Sequence, residues 1–409
     1  MRAFFVLTAL SLACASASAE AQAPTSRAPD APLRTLDPAE RDLLRPHLEH
    51  GPALLAHFYD SHSDISSITL AGLVDAPADT VAAVITDAEA YPRFMPAMDE
   101  VSVTAREGRQ IAYDWSWRLA VFRLSGQNVM TTYPGNARRG HRIDIRAVGG
   151  DLGVGRMVWR VHPEGPNRSM VVLAIRLDMR GANYVADQLS GGGRGVFRTI
   201  NTILGTVMLL GTEREAERRA GHVDAPGELA PLERPALDMM ALTRLIGQGD
   251  LVLLDREGPA VERVTVVSVM GAREEQVRPV ALDPEQFGRS LVHGSRAEVV
   301  ERTAEWVDFD WRIPLPLVGV SGRMRLHLSD DVVHVEGRQG ALDEGDWYFD
   351  THVYPWGDTV LVGWARFDVR DTARMVRGLV EDQPDIGLGL TMATQVMVVR
   401  SLRNRVHSH

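Results

Sequence analysis

The stretch from residue 84 to 126 returns, degenerate but in register, 196 positions further along the chain, and this limits the possible folds more than any single motif does. DAEAYPR beginning at Asp87 reappears as DPEQFGR beginning at Asp283, and YDW ending at Trp115 reappears as FDW ending at Trp311. The pairs Asp87/Asp283, Asp114/Asp310 and Gly126/Gly322 share the offset of 196. Farther on, RLDMR (Arg176 to Arg180) returns as RFDVR (Arg366 to Arg370) at an offset of 190, so about six residues of loop are missing from the second copy. Repeats of 20 to 50 residues stack into solenoids, whereas a unit of roughly 200 is long enough to bury its own core, which predicts two tandem domains.

Arg2, the apolar run Ala3 to Ala15 and Ala17-Ser18-Ala19 have the layout of a signal peptide over 1–19, predicting an exported chain, periplasmic or secreted. A lipoprotein acylated at Cys14 is the alternative, although Ser11 and Leu12 fit a lipobox poorly. Cleavage after Ala19 would remove the single cysteine, leaving neither disulfide nor thiolate nucleophile. All 44 basic residues are arginine, which excludes Schiff-base chemistry and a P-loop lysine. A net charge of −10 argues against a nucleic-acid partner, and any direct membrane contact, expected to be transient, would have to be apolar or local. The most apolar later run, Val196 to Gly211, is too short for a span and contains Arg198.

Residues 20–36, rich in Ala, Pro and Ser, are expected to be a flexible linker, 37–220 a first domain, 221–235 a second linker and 236–409 a second domain. Asp37-Pro38-Ala39-Glu40 supplies an N-cap, a first-turn proline and an N3 glutamate, predicting a helix to about His50; Asp238 to Ile246 is its counterpart. Strand patterns occupy Ile65 to Leu73, a segment around Tyr113, Phe122 to Thr132, His141 to Val148, Val154 to His162 and Met170 to Met179. Helices are expected over Pro77 to Thr86 and Val196 to Arg219.

This order, with APADTVAAVITDAEAYPRFMP at Ala76 to Pro96, resembles the START-like (SRPBCC) superfamily, which includes polyketide cyclases, coenzyme-Q-binding proteins and the Bet v 1 group. The resemblance implies an α+β fold of two helix-grip domains. In each, a curved antiparallel sheet would wrap a long C-terminal helix around an apolar cavity. It covers about 65–219 well, whereas the second copy has Gly288 in place of Pro92 and no Ala-Pro before its first helix, so the fold is carried there by the repeat.

Candidate ligand-binding residues lie on the apolar strand face. Tyr113, Trp115 and Trp117, with Phe309 and Trp311 in the second copy, are aromatics of the kind that line apolar pockets, core filling being the alternative for each. Asn128 shares a face with Met130 and would need a partner, from the protein or from a ligand. His141 alternates with Ile143 and Ile145 and is a further candidate beside an ordinary core role. Asp114, Asp310, Asp178 and Asp368 read as cross-strand ion pairs with arginine rather than catalytic acids. Gly191 to Gly195 reads as a hinge for the following helix, with phosphate binding the weaker alternative. Neither His47-x-x-His50 nor Asp60, His62 and Asp64 has metal-site spacing, and no cofactor or metal is expected. The resulting expectation is an exported carrier for a hydrophobic small molecule such as a lipid, sterol-like compound, quinone or polyketide-like product. The alternative is a two-domain cyclase or aromatase.

Overall fold

The computed structural model describes residues 32–408 apart from 59–64, 120–121, 137–138, 181–193, 223–228, 259, 290–293, 315–318, 329–331, 355–356, 370–376, 379 and 382. The segment read as a signal peptide, the Asp60/His62/Asp64 cluster and Gly191 to Gly193 lie outside the described residues.

In the first copy, helix α1 (Pro38–Leu48) is followed by β1 (Ala53–His57) and β2 (Ile68–Val74). Helix α2 (Ala78–Thr86) and a 3-10 turn over Ala88–Arg93 lead into a meander: β3 (Met98–Glu107), β4 (Gln110–Leu119), β5 (Phe122–Asn136), β6 (Gly140–Gly150), β7 (Val154–Pro163) and β8 (Ser169–Asp178). The long helix α3 (Arg194–Ala220) closes the copy. In the second copy, α4 (Met239–Ile246), β9 (Gly249–Glu257), β10 (Ala260–Val269), α5 (Glu274–Ala281) and α6 (Pro284–Gly288) repeat the pattern. They precede β11 (Arg296–Arg302), β12 (Trp306–Pro314), β13 (Gly319–His327), β14 (Val333–Gly340), β15 (Asp346–Val353), β16 (Thr359–Arg366) and α7 (Pro384–Val406). The capping box read from Asp37 and Glu40 forms, with the Asp37 side chain accepting from Glu40 N at 3.0 Å and Glu40 accepting from Asp37 N at 2.8 Å.

The strands of both copies form one 16-stranded antiparallel sheet, ordered β11-β12-β13-β14-β15-β16-β10-β9-β1-β2-β8-β7-β6-β5-β4-β3. The joint is the β1–β9 pair, where Leu55 faces Leu251. Their separation, 251 − 55, is again 196, so equivalent residues of the two copies meet across the joint. An antiparallel pair brings equivalent residues opposite each other only where a two-fold axis passes, so the repeat is a pseudo-dyad centred on Leu55 and Leu251.

One expectation changes here. Separate cores are replaced, among the described residues, by one apolar cluster that runs under both long helices, from Trp115 and Leu173 in the first copy to Val266, Met392 and Val399 in the second. The sheet also buries both faces at its middle, where every residue of β1 is buried. A second cluster, containing Leu44, Leu48, Leu245, Ile246, Leu55 and Leu251, lies beneath α1 and α4 on the outer face. A central strand pair covered on both sides reads as an unbroken apolar run without period two, which is why β1 and β9 carry no strand signature.

The described ends of the two expected linkers, 32–36 and 229–235, are tied to the strands of the copies beside them. Leu36 is buried in the outer cluster, and the Arg34 carbonyl accepts from Thr69 Oγ1 at 3.0 Å. The Glu233 and Ala230 carbonyls accept from Arg263 and Arg366, while Arg234 pairs with Asp350, so 230–234 is tied to the second copy's strands. These arginines satisfy carbonyls that a free linker would leave to water.

Helices α3 and α7 run side by side on the inner face. Gly389 lets α7 approach so closely that a Cβ there would stand 3.1 Å from the Ile203 backbone, and a Cβ on Gly205 would strike Leu70. Thr206 and Thr391, fully buried at the contact, bond to the carbonyls four residues earlier in their own helices, Thr202 and Gly387. Because α7 covers α3, a hinge at 191–195 could not swing α3 alone without opening this contact. Arg214 of the first copy pairs with Asp385 of the second, and Arg256 of the second with Glu213 of the first. At the other end, the fully buried Asp250 of β9 is bound by Arg400 and Arg403 of α7 and by Ser268.

Candidate functional site

The predicted aromatics of the first copy come together on the inner face. Along β4, Tyr113, Trp115 and Trp117 face Asn128, Gly126 and Leu124 of β5 in direct register. Met130 lies one alternate position further, opposite Ile111, and pairs on its other side with Ile145 of β6. All five predicted residues here, Tyr113, Trp115, Trp117, Asn128 and Met130, are buried and border the cluster that α3 covers with Phe197, Leu204 and Met208. Trp115 lies over Gly126 so closely that a Cβ there would stand 2.5 Å from its Cζ2. Gly126 repeats as Gly322 for a physical reason: Gly322 faces Trp311 on β12, and its Cβ would meet that indole nitrogen at 3.1 Å.

Several polar atoms in this apolar wall lack partners. Asn128 Nδ2 donates to the Tyr113 hydroxyl at 3.1 Å, but Asn128 Oδ1 makes no hydrogen bond. The indole N–H groups of Trp115 and Trp117 are also buried without an acceptor, their rings 6.1 Å apart edge to face. Leaving such a group unpaired costs about 1 to 3 kcal/mol. Two donors and one acceptor are therefore buried without partners in surroundings that are otherwise largely hydrocarbon. Burial pushes the Tyr113 hydroxyl well above its usual range, so it stays protonated at neutral pH. Beside it, Tyr91 packs edge-on and donates to the Ile85 carbonyl, which fixes the 3-10 turn against β4.

His141 does not join this group. It sits near the start of β6, and its Nε2 reaches Asp79 of α2 at 2.7 Å, pinning that helix to the sheet rim. A lone histidine at the end of an apolar alternation has a polar partner within reach, and here Asp79 takes it. In the second copy, Phe309 and Trp311 belong to a smaller cluster with Val307, Val320 and Leu326, away from the core under the long helices. Trp311 Nε1 is likewise unpartnered. The cross-strand arginine pairing expected for Asp310 is present, with Arg323 at 2.7 Å, whereas Asp178 pairs locally with Arg180, two residues on, at 2.7 Å, and Asp114 faces Gln127.

The sequence did not indicate Asn201 of α3, which bridges helix and sheet: its Oδ1 accepts from Leu177 N at 3.0 Å and its Nδ2 donates to Leu177 O at 3.1 Å. Two surface clefts, of about 400 and 460 Å3, are lined by none of the five wall residues, although the first is lined by Met98, which faces Trp117, and by Arg118. The first lies between residues 92–99 and Pro384, and the second between Asp87 and Glu215. No helix among the described residues is long and apolar enough to cross a membrane.

A family model described as polyketide cyclase / dehydrase and lipid transport matches residues 74–202, within the first copy, and agrees there with the START-like resemblance. The second copy repeats the same elements in the same order, so the chain is a tandem of SRPBCC-like α+β units joined through one sheet. A search of curated proteins finds no match. Similar solved structures include the di-domain ARO/CYC StfQ from the steffimycin biosynthetic pathway, 11% identical, covering 83% of this chain and 98% of its own, TM-score 0.31. Human STARD10 is 15% identical over 46% of this chain and 84% of its own, TM-score 0.33. A protein of Thermus thermophilus is 18% identical over 38% of this chain and 99% of its own, TM-score 0.32. At these scores the architecture rests on this chain's own strands and helices.

Proposed function

We propose that the chain is an exported carrier that holds a hydrophobic small molecule against the inner face of its first copy, between β4–β5 and α3. The observation that carries this reading is the set of unpartnered polar atoms, Trp115 Nε1, Trp117 Nε1 and Asn128 Oδ1, in an otherwise apolar wall. A ligand of lipid, quinone or polyketide-like type would bury its hydrocarbon at about 25 cal/mol per Å2 and place a carbonyl or hydroxyl at these atoms. The family match, whose description includes lipid transport, falls on the same copy.

A cyclase would need an acid or base poised near neutral pH beside the substrate. Of the predicted site residues, His141 is engaged at the rim by Asp79, away from the wall that would hold a substrate, which favours carriage over conversion.

The test is mass spectrometry of organic extracts from the natively purified chain, followed by rebinding of any compound released. Asn128→Leu keeps the branched shape and removes the unpartnered acceptor together with the donor to the Tyr113 hydroxyl, so the empty protein should lose no more than about 1 to 3 kcal/mol. Its ligand affinity should fall about 3- to 10-fold, the value of one hydrogen bond. Recovery of a chemically altered compound would reject carriage in favour of catalysis. Full affinity in Asn128→Leu and in Trp115→Phe would reject the site.

A further inference from the structure

The outer face of the second copy brings together a set of side chains that no spacing in the sequence announces. His334 and Glu336 are two residues apart on β14 and therefore share a face, and Asp346 opens β15 directly opposite Glu336. One ligand atom from each of His334, Glu336 and Asp346 lies within 4.8 Å of the others. His334 Nε2 is 2.9 Å from Asp346 Oδ1. On β13, His327 faces His334 and stacks on it with ring centroids 4.6 Å apart. The Nε2 of His327 is buried, makes no hydrogen bond and stands 3.6 Å from Glu336 Oε1. The stack continues through Tyr348 and Trp364 at 4.3 and 5.4 Å, so a ladder of four rings across four neighbouring strands fixes the His334 plane.

Carboxylates directly opposite on adjacent strands repel each other. The first copy shows how the same place in the fold is otherwise filled. At the offset of 190 found for the later strands, the counterparts of His334, Glu336 and Asp346 are Asp144, Arg146 and Arg156, and Arg146 faces Arg156 as Glu336 faces Asp346. There the cations come from the chain itself, since Asp144 is bound by Arg142 and by Arg156. In the second copy carboxylates replace both arginines and an imidazole replaces the aspartate. Among the described residues, the guanidinium that pairs with these carboxylates is that of Arg338, which donates to Glu336 at 2.9 Å, while Arg366, opposite Asp346, donates to the Glu262 and Ala230 carbonyls. Arg325, across from Glu336, is held by Asp308 at 2.7 Å and lies over the Trp306 ring.

We propose that His334, Glu336 and Asp346 bind a divalent transition-metal cation of the zinc class, with His327 a further donor once its ring tilts toward Glu336. One imidazole and two carboxylates suit zinc better than calcium or magnesium, which prefer oxygen alone. Ligand bonds of about 2.0 to 2.2 Å would be reached by modest rotamer shifts of these partly exposed side chains, and solvent would complete the shell. The ion would replace the cation that the first copy builds from arginine.

The test uses the full-length, untagged, chelator-treated chain, titrated with Zn2+ by calorimetry and with Co2+ by visible absorption. One equivalent should bind, and His334→Gln and Asp346→Asn should each weaken it at least about 10- to 100-fold. Arg338→Met should tighten it about 2- to 5-fold by removing a competing cation. No binding at micromolar Zn2+, or binding that His334→Gln leaves unchanged, would overturn the proposal. If circular dichroism shows that His334→Gln does not fold, Arg338→Met decides alone, and an affinity equal to that of the parent overturns it.

Discussion

Replacing Asp250 by alanine tests whether the buried charges at the seam are a structural necessity. The carboxylate has 0% exposure and accepts from Arg400 Nε at 2.5 Å, from Ser268 Oγ at 2.7 Å and from Arg403. Arg400 and Arg403, only 14% and 16% exposed, would lose this counter-ion together. Removing one partner of a buried ion pair costs about 3 to 5 kcal/mol, because the remaining charge stays desolvated. Here Arg400 would keep the Ala56 and His57 carbonyls at 2.8 and 3.0 Å, and Arg403 the Val269 carbonyl at 2.9 Å, which places the expectation at the lower end, about 3 kcal/mol. In a chain of 409 residues unfolding as one unit that lowers Tm by roughly 3 to 5 °C. Burial alone would raise the Asp250 carboxyl, but Arg400 and Arg403 more than offset it and the net displacement is downward. A group whose folded pKa lies below its unfolded one adds stability that is present above the unfolded value and lost as pH falls through the folded value. The difference between parent and variant should therefore be constant from about pH 5 to 8 and narrow below roughly pH 4. Urea unfolding across this range, followed by tryptophan fluorescence, measures it. A neutral-pH loss under about 1 kcal/mol, or a difference that does not narrow in acid, would refute the reasoning.

Gly126→Ala, which drives a methyl into the Trp115 ring and toward the Gly149 carbonyl, should cost about 1 to 3 kcal/mol in thermal unfolding and shift tryptophan emission. Gly149→Ala meets open space and should stay within about 0.5 kcal/mol, so equal effects would contradict the packing. Asn201→Ala strips both partners from the Leu177 peptide groups and should cost about 2 to 3 kcal/mol, with faster hydrogen exchange at the Leu177 amide; unchanged protection would show that α3 is not anchored there.

The repeat and the strand alternations made the meanders legible, and the Asp37 and Glu40 pattern placed α1, because both signals are local. What joins the copies was not legible. Ala53–His57 is five buried residues with no alternation, and nothing in the run says that its partner lies 196 positions away. The site was partly legible: period two put Tyr113, Trp115, Trp117, Asn128 and Met130 on one wall, but that His141 turns to Asp79 depends on where α2 packs. Asn201 and the His334 group were hidden because their partners come from different strands or from a helix and a strand, and register is a tertiary property.

A joint between equivalent strand residues works as well between two molecules as within one. A first copy freed of its sister would present β1, apolar and unpaired, to another β1 in the same antiparallel register about Leu55, so the excised half should be sticky and dimerise. The same logic applies to the outermost strands, β3 and β11, which among the described residues have no neighbour on one side. Both are broken by bulges and carry charged, exposed residues, among them Glu100, Arg106 and Glu107 on β3 and Arg296, Glu298 and Arg302 on β11. Extension of the sheet is thus used once, at its centre, while the bulges and charges at both rims oppose the addition of a further strand.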